Sequence, residues 1–521
     1  MQEHNLSAGN FEQCLKCDLC TSVCPMMEAN PAYPGPKQAG PDGERYRLKD
    51  PGYFDLTLRF CLNCKRCEVA CPSGVKVGDI IQTARLKYYR QHNIVRDLML
   101  ASTDAVGPPA TELAWAVNPL LRNSTVKQVL DSAGGISRER ALPSYSRQRF
   151  VRWMKHKAPS QEGFKRYVSY FHGCYVNYNY PQLGRDFVTL MNACGYGVRL
   201  LEGERCCGVA LISGGFGSRA ARHARANVRS MERALEVSAG SGVSGQTGLG
   251  VSPVLAEESP LRERLGRSLT PAGATACLPE AVLTTSSTCT FTMRDEYPHL
   301  LGVDNSAVRS RLMMAVKWLY DRVEAGEVKL AWRKDFRMRA IYHTACHMNK
   351  LGWALFVIEL LEMIPGMDLT VLDQECCGMA GTFGFKKENY GYSMAIGGKL
   401  FDHIRQASAG TAMAVRPAPP EDYPFGKGFA ARKPSSDAFA SASAGSGSAP
   451  SLAEGSSLRG KLGQGPAFAN SAAAAGAVVI TDCETCKWQI EAGTGLPVFN
   501  PISILVQALD LEATASLNAQ A

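Results

Sequence analysis

The sequence predicts an α+β protein in three parts: a small helical N-terminal unit organised by cysteines, then two copies of an α/β unit. Three observations carry this. Eight of the 19 cysteines fall in two tight runs before residue 72. A long internal repeat follows, in which YFHGC…ERCCG (170–208) is echoed by IYHTAC…QECCG (341–378). Within each copy strand-like and helical segments alternate, the order that yields parallel strands.

The 521 residues are 45% hydrophobic and 20% charged, the balance of a globular protein with a sizeable core. No apolar run approaches the roughly 18 residues needed to span a bilayer; WALFVI (353–358) and AAAAGAVVI (472–480) are the longest. The N-terminus lacks a basic start followed by an apolar stretch, so a reducing compartment is expected. There, clustered thiols read as metal ligands before disulfides. The net charge of +9 favours an anionic surface or acidic partner without indicating nucleic acid.

Residues 1–100 hold the two dense cysteine runs, and 101–165 read as a helical connector with a basic stretch, RQRFVRWMKHK (147–157). The first repeat occupies 166–301 and the second 302–510; 511–521 read as a frayed tail. Strands are expected at YVSYF, RAIY and MDLTVLDQE, and a buried core helix at WALFVIELLEMI; AVLTTSSTCTF (281–291) parallels AVVITDCETCKW (477–488) as a further part of the repeat. Two stretches rich in small residues, about 238–276 and 407–476, cannot bury enough apolar surface to offset their ordering entropy. They are expected to be disordered insertions, each between a Cys-Cys-Gly and the last cysteine element of its repeat.

CLKCDLCTSVCP and CLNCKRCEVACP both fit C-x2-C-x2-C-x3-C-P. In this spacing three thiolates hold one [4Fe–4S] cluster and the fourth, before Pro, ligates the other. Cluster one is thus assigned to Cys14, Cys17, Cys20 and Cys71, and cluster two to Cys61, Cys64, Cys67 and Cys24. Zinc would favour two C-x2-C pairs in four-fold coordination instead. Two ferredoxin-type [4Fe–4S] sites mean one-electron transfer.

The second repeat offers Cys346, Cys376, Cys377, Cys483 and Cys486, one thiol more than a cubane needs. The first offers Cys174, Cys206, Cys207 and Cys289, with Ser286 standing where Cys483 stands in the second. Gly208 and Gly378 are expected to let the backbone approach the site closely. Buried Cys pairs acting as small hydrophobes are the alternative.

Tandem Cys-Cys-Gly domains of this layout resemble the catalytic subunit of heterodisulfide reductase. With the double ferredoxin motif in front, the chain resembles two further families: the iron–sulfur subunits of glycolate oxidase and those of the anaerobic glycerol-3-phosphate dehydrogenases. NPAYPGPKQAGPDGERYRLKD, FHGCYVNYNYPQLG, STCTFTMRDEYP, TVLDQECCGMAGTFGFKKENY and TDCETCKWQIE carry the resemblance to the latter. It implies two cubanes on the eight N-terminal cysteines and one noncubane [4Fe–4S] cluster on Cys346, Cys376, Cys377, Cys483 and Cys486. Ser286 breaks the pattern in the first repeat, leaving Cys174, Cys206, Cys207 and Cys289 open between a smaller or ordinary cluster and a vestigial site.

The sequence holds no G-x-G-x-x-G after a strand and no G-x-x-x-x-G-K-[ST], so no FAD or NAD fingerprint is visible. A two-electron alcohol oxidation needs a hydride acceptor. The resemblance therefore implies a partner flavoprotein that oxidises substrate, a further subunit, and single electrons passing through this chain to membrane quinone. It implies a peripheral place at the cytoplasmic face of the inner membrane. The alternatives are a glycolate or lactate oxidase iron–sulfur subunit and a heterodisulfide-reductase-like catalytic subunit; a zinc-stabilised scaffold is the non-redox rival.

His172, His343 and His347 flank cysteines and are expected in packing rather than ligation. Cys194 matches no motif and is expected in the core, Cys277 in a loop. Trp488 beside Cys486 is placed to shield a cluster from water.

Overall fold

A computed structural model describes residues 10–50, 53, 55–88, 93–236, 277–372, 375–410 and 476–519. Both low-complexity stretches fall almost wholly outside these residues. The N-terminal part is built of short helices, with Pro25 opening Pro25–Ala29 directly after Cys24. Pro is favoured there because its missing N–H has no intrahelical partner to lose. The helix Val77–Tyr88 closes this unit.

Helices Ile94–Ala101, Thr103–Glu112, Ala114–Arg122 and Ser124–Ser132 follow, and the basic stretch forms Phe150–Lys157. Phe150 and Met154 are buried while its lysines stay outward.

Eight strands form two four-stranded parallel sheets. β1 (Arg166–Phe171), β2 (Tyr196–Leu200), β3 (Pro279–Thr284) and β4 (Leu312–Met314) lie in the order β2-β1-β3-β4. β5 (Met338–Tyr342), β6 (Met367–Val371), β7 (Val478–Ile480) and β8 (Val498–Phe499) repeat that order as β6-β5-β7-β8. The sequence repeat is thus a repeat of topology. The inner strands are buried along most of their length, as expected where helices cover both faces of a sheet. One core joins the two halves, with Val168 and Tyr170 of β1 and Ile341 and Ile480 of the second sheet in the same cluster.

WALFVIELLEMI is buried as expected, but the helix starts at Ala354 and ends at Glu362. The preceding helix, Cys346–Leu351, stops at Gly352, whose φ of 72° is the left-handed cap that glycine adopts without strain. The C-terminal segment corrects the expectation of a frayed tail. It is a helix, Leu511–Ala519, because its polar residues find backbone partners: Thr514 Oγ1 accepts from Ala331 N at 3.0 Å and Asn518 Oδ1 from Lys329 N at 2.9 Å.

Candidate metal centre

The cysteine runs have a shared backbone device. Lys16, Asp18, Asn63 and Lys65 all have positive φ, at 57°, 63°, 56° and 61°. They occupy matching places in the two C-x2-C-x2-C loops, so each loop curls around a point instead of running on as a helix. Left-handed conformation in a non-glycine residue costs on the order of 1–3 kcal/mol and persists where surroundings over-determine it. The surroundings of Lys65 do so. It is 1% exposed, pairs with Asp79 at 2.5 Å, and lies 3.5 Å from Glu68 and 4.0 Å from Glu296. Glu68 also meets Lys350 of the second repeat at 3.0 Å.

Cys14, Cys17, Cys20 and Cys71 line one small cavity, and Cys24, Cys61, Cys64 and Cys67 another. Each thus draws three cysteines from one run and the last from the other. Cys17 is exposed beside Leu15 and Leu19, which are 73% and 47% exposed. The second cavity is deep: burial pushes the Cys67, Cys24 and Cys61 thiols up. A buried thiolate needs compensating positive charge, which iron supplies. Gln82 Nε2 also donates to Cys61 Sγ at 3.3 Å.

The remaining cysteines that the repeats predict sit beyond the carboxyl ends of parallel strands, where open α/β sheets place their sites. Cys174 follows β1, Cys206 and Cys207 follow β2, and Cys289 follows β3; Cys346, Cys376 and Cys377, and Cys483 and Cys486 follow β5, β6 and β7. All nine line a single cavity of about 730 Å³, which Cys64 also reaches. Cys206 Sγ lies 3.9 Å from Cys174 Sγ, and Cys486 Sγ 3.2 Å from Cys377 Sγ. The hydroxyls of Thr288 and Thr485 lie 3.4 and 3.2 Å from Cys483 Sγ, so one first-repeat residue touches the second repeat's set. The Cys486 thiol, followed by these hydroxyls, holds the Cys483 thiol well below its ordinary pKa despite burial.

Ser286 takes the place of Cys483 in the local structure as well as in sequence. Each is the residue before a helix, Ser287–Phe291 and Glu484–Thr494. Ser286 Oγ accepts from Cys289 N at 3.2 Å and donates to Glu484 Oε2 at 3.1 Å. A serine there does cap work, which accounts for its tolerance. Gly378 has φ +80°, and a Cβ on it would lie 2.2 Å from Ser393 O. Close packing against the helix Lys387–Ser408, rather than the site itself, is what excludes a side chain there.

His172 Nδ1 lies 2.8 Å from Gly173 O, and burial holds its pKa down to about 4. His347 stacks on Phe291 and lies 3.1 Å from Asn63 O. His343 is fully buried and both ring nitrogens lack a protein partner. Cys194 is in the core and Cys277 is exposed. Trp488 lines the large cavity and packs edge-on against Tyr175 and Phe385.

Sequence reasoning did not single out Arg140. It is 2% exposed and donates to Gly384 O at 2.9 Å, Ser393 Oγ at 3.1 Å and Gln489 Oε1, with Tyr390 under its guanidinium at 4.7 Å. None of these partners is a carboxylate; burial holds its pKa below the usual guanidinium value, with Tyr390 and then the Cys377 thiol opposing that fall.

Among the described residues, no three His, Cys, Asp or Glu side chains converge as at a single-ion site. The thiols instead ring volumes, the arrangement a multi-iron cluster requires. The fold and these thiol sets define an iron–sulfur protein with a dicluster unit ahead of tandem cysteine-rich domains. The family model of the 4Fe-4S dicluster domain matches residues 10–75, and that of the cysteine-rich domain matches 168–239 and 340–417. The chain is 41% identical over 500 residues to the C subunit of the anaerobic glycerol-3-phosphate dehydrogenase of Escherichia coli, covering 96% of this chain and 99% of that protein. It belongs to the family of these C subunits. More distantly, it is 22% identical to the B subunit of the fumarate reductase (CoM/CoB) of Methanothermobacter marburgensis, over 78% of this chain and 65% of that one. It is 23% identical to a Bacillus cereus lactate utilization protein A 2, over 44% and 77%. Among the described residues, no helix is long and apolar enough to cross a membrane.

Proposed function

We propose that this chain is the electron-transfer subunit of a quinone-linked anaerobic glycerol-3-phosphate dehydrogenase. A partner flavoprotein oxidises the substrate, the complex includes a further subunit, and electrons leave to the quinone pool at the cytoplasmic face of the inner membrane. Cys14, Cys17, Cys20 and Cys71 hold one [4Fe–4S] cubane, and Cys24, Cys61, Cys64 and Cys67 the second. Cys346, Cys376, Cys377, Cys483 and Cys486 hold a noncubane cluster. Cys174, Cys206, Cys207 and Cys289 are a four-thiol site whose loading iron analysis decides. These groups supply one-electron steps; the chain's own residues hold them in order.

The observation that carries the reading is that order. Exposed Cys17 marks the outer end, and the two N-terminal cavities share the two cysteine runs. Cys64 of the inner one lines the same cavity as Cys346 of the next set. Removing Cys376 breaks the relay at its last link. The anaerobically purified Cys376→Ser complex is expected to lose quinone reduction while keeping dye-linked glycerol-3-phosphate oxidation, with iron lost from one centre only. Intact quinone reduction in this variant overturns the role of that centre. Zinc in place of iron overturns the whole reading.

A further inference from the structure

The thiols line only part of the 730 Å³ cavity, and the rest has a different character. Its outer wall comes from the helices Thr103–Glu112 and Ala114–Arg122. Leu113, Val117 and Leu121 recur at every fourth position and all line it, the spacing that puts them on one helix face. Val106 and Ala110 extend that wall. Among the described residues that line it, none is Lys or Arg.

The cavity reaches the surface along its outer wall, where Ala105 and Pro109 are exposed. Met99 and Leu113 line it and are also 45% and 51% exposed at the surface, whereas Cys206, Cys207, Cys376 and Cys377 at its inner wall are no more than 4% exposed. Around the rim the surface stays apolar, with Trp115 at 68% exposure and Ile94, Val95 and Leu120 all above half. Large apolar side chains gathered on a protein surface mark an interaction site. Glu112, the acid at the rim, is met by Arg149 at 3.0 Å and Arg152 at 3.8 Å, so its charge is offset.

We propose that this chamber is the binding site for a lipid-soluble isoprenoid quinone, which comes from the bilayer over the Leu113–Trp115 rim. This rests on the electron-transfer reading above and adds where the acceptor sits. Of the cavity's roughly 730 Å³ the thiol-lined end belongs to the centre proposed above, and the apolar remainder, walled by Val106, Ala110, Leu113, Val117 and Leu121, is the part open to an organic ligand. An anionic disulfide would favour a permanent cation in the wall, and the described wall has no lysine or arginine; a benzoquinone or naphthoquinone with an apolar tail needs only a few polar groups. Tyr145, Tyr178 and Asn179 line the chamber and supply them. The quinone takes two electrons, arriving singly at the thiol-lined end, and two protons from water, and leaves as the quinol.

The test uses the whole complex, purified anaerobically. The probe is 2-heptyl-4-hydroxyquinoline N-oxide, a fluorescent quinone analogue whose quenching reports binding without turnover. Val117→Trp fills the chamber, and Val117→Asn makes its wall polar at nearly constant size. Iron content and the EPR spectrum check that both variants are loaded. Both are expected to bind the probe about tenfold or more weakly, since pockets of this kind enclose most of their ligand's surface. In the unaltered complex, an azidoquinone is expected to photolabel a peptide within 94–122. Undiminished probe binding in both variants, with labelling elsewhere, overturns the chamber and leaves the electron-transfer reading standing. No probe binding and no quinone reduction by the unaltered complex overturns both. Equal competition by laurate reassigns the chamber to a lipid acyl chain and overturns the quinone.

Discussion

The Cys64 thiol of the N-terminal unit and the Cys346 thiol of the second cysteine-rich domain line the same cavity, beside the 3.1 Å contact of His347 Nε2 with Asn63 O. That contact, with the Lys350–Glu68 ion pair beside it, joins two thiol sets 282 residues apart in sequence. The neighbouring Cys346 thiol holds the Cys64 pKa down to about 7, against the burial that raises the others in that cavity. Two centres whose ligands line one cavity are magnetically coupled when both are paramagnetic. The EPR signal of the inner N-terminal centre is expected to be broadened in the fully reduced protein and to sharpen in Cys376→Ser. An unchanged line shape would separate the two sites.

Lys65 is a single cation shared by three buried carboxylates, of which Glu68 also meets Lys350. Lys65→Met leaves Asp79, Glu68 and Glu296 without that charge, and breaking a buried pair from one side costs about 3–5 kcal/mol. The thermal midpoint of the variant should fall sharply, and Asp79→Asn added to it should recover part of the loss by removing a stranded charge. No fall would mean that water reaches these carboxylates.

Gly378 and Gly391 make opposite predictions. At Gly378 an alanine meets both a left-handed backbone and Ser393 O, so Gly378→Ala should destabilise by more than about 1 kcal/mol. Gly391 lies inside the helix Lys387–Ser408, with nothing within 4 Å of a Cβ. Gly391→Ala should stabilise by up to about 1 kcal/mol through helix propensity. Parallel thermal melts of the two variants check both signs.

Arg140 carries a positive charge with only neutral partners, next to Cys377. A fixed cation stabilises the more negative, reduced form of a nearby redox centre. Arg140→Gln should therefore lower the midpoint potential of the second-repeat centre in an EPR redox titration, whereas Arg140→Lys should keep it near the original value. A potential that moves equally in both variants would assign Arg140 to packing of Gly384 and Ser393 alone.

Local spacing alone grouped the eight N-terminal cysteines into two sets. Intervals of two and three residues between cysteines decide which thiols one loop can aim at a common point, and in the folded chain each set lines one small cavity. Alternation of apolar strands and helices, twice over, was enough for two parallel sheets. Ser286 was visible as the odd residue of its set for the same reason. Contacts between distant segments were a matter for the folded chain. The sharing of one cavity by Cys64 and Cys346, the gathering of nine thiols on one cavity, and the placing of Arg140 beside Cys377 each join residues more than two hundred positions apart in the chain or bring two repeats together. The helices between 101 and 132 read as part of a bland connector, because a stripe such as Leu113–Val117–Leu121 has the same pattern whether it faces a core or a chamber. Which of these it faces depends on how the sheets pack beneath it, and no periodicity records that.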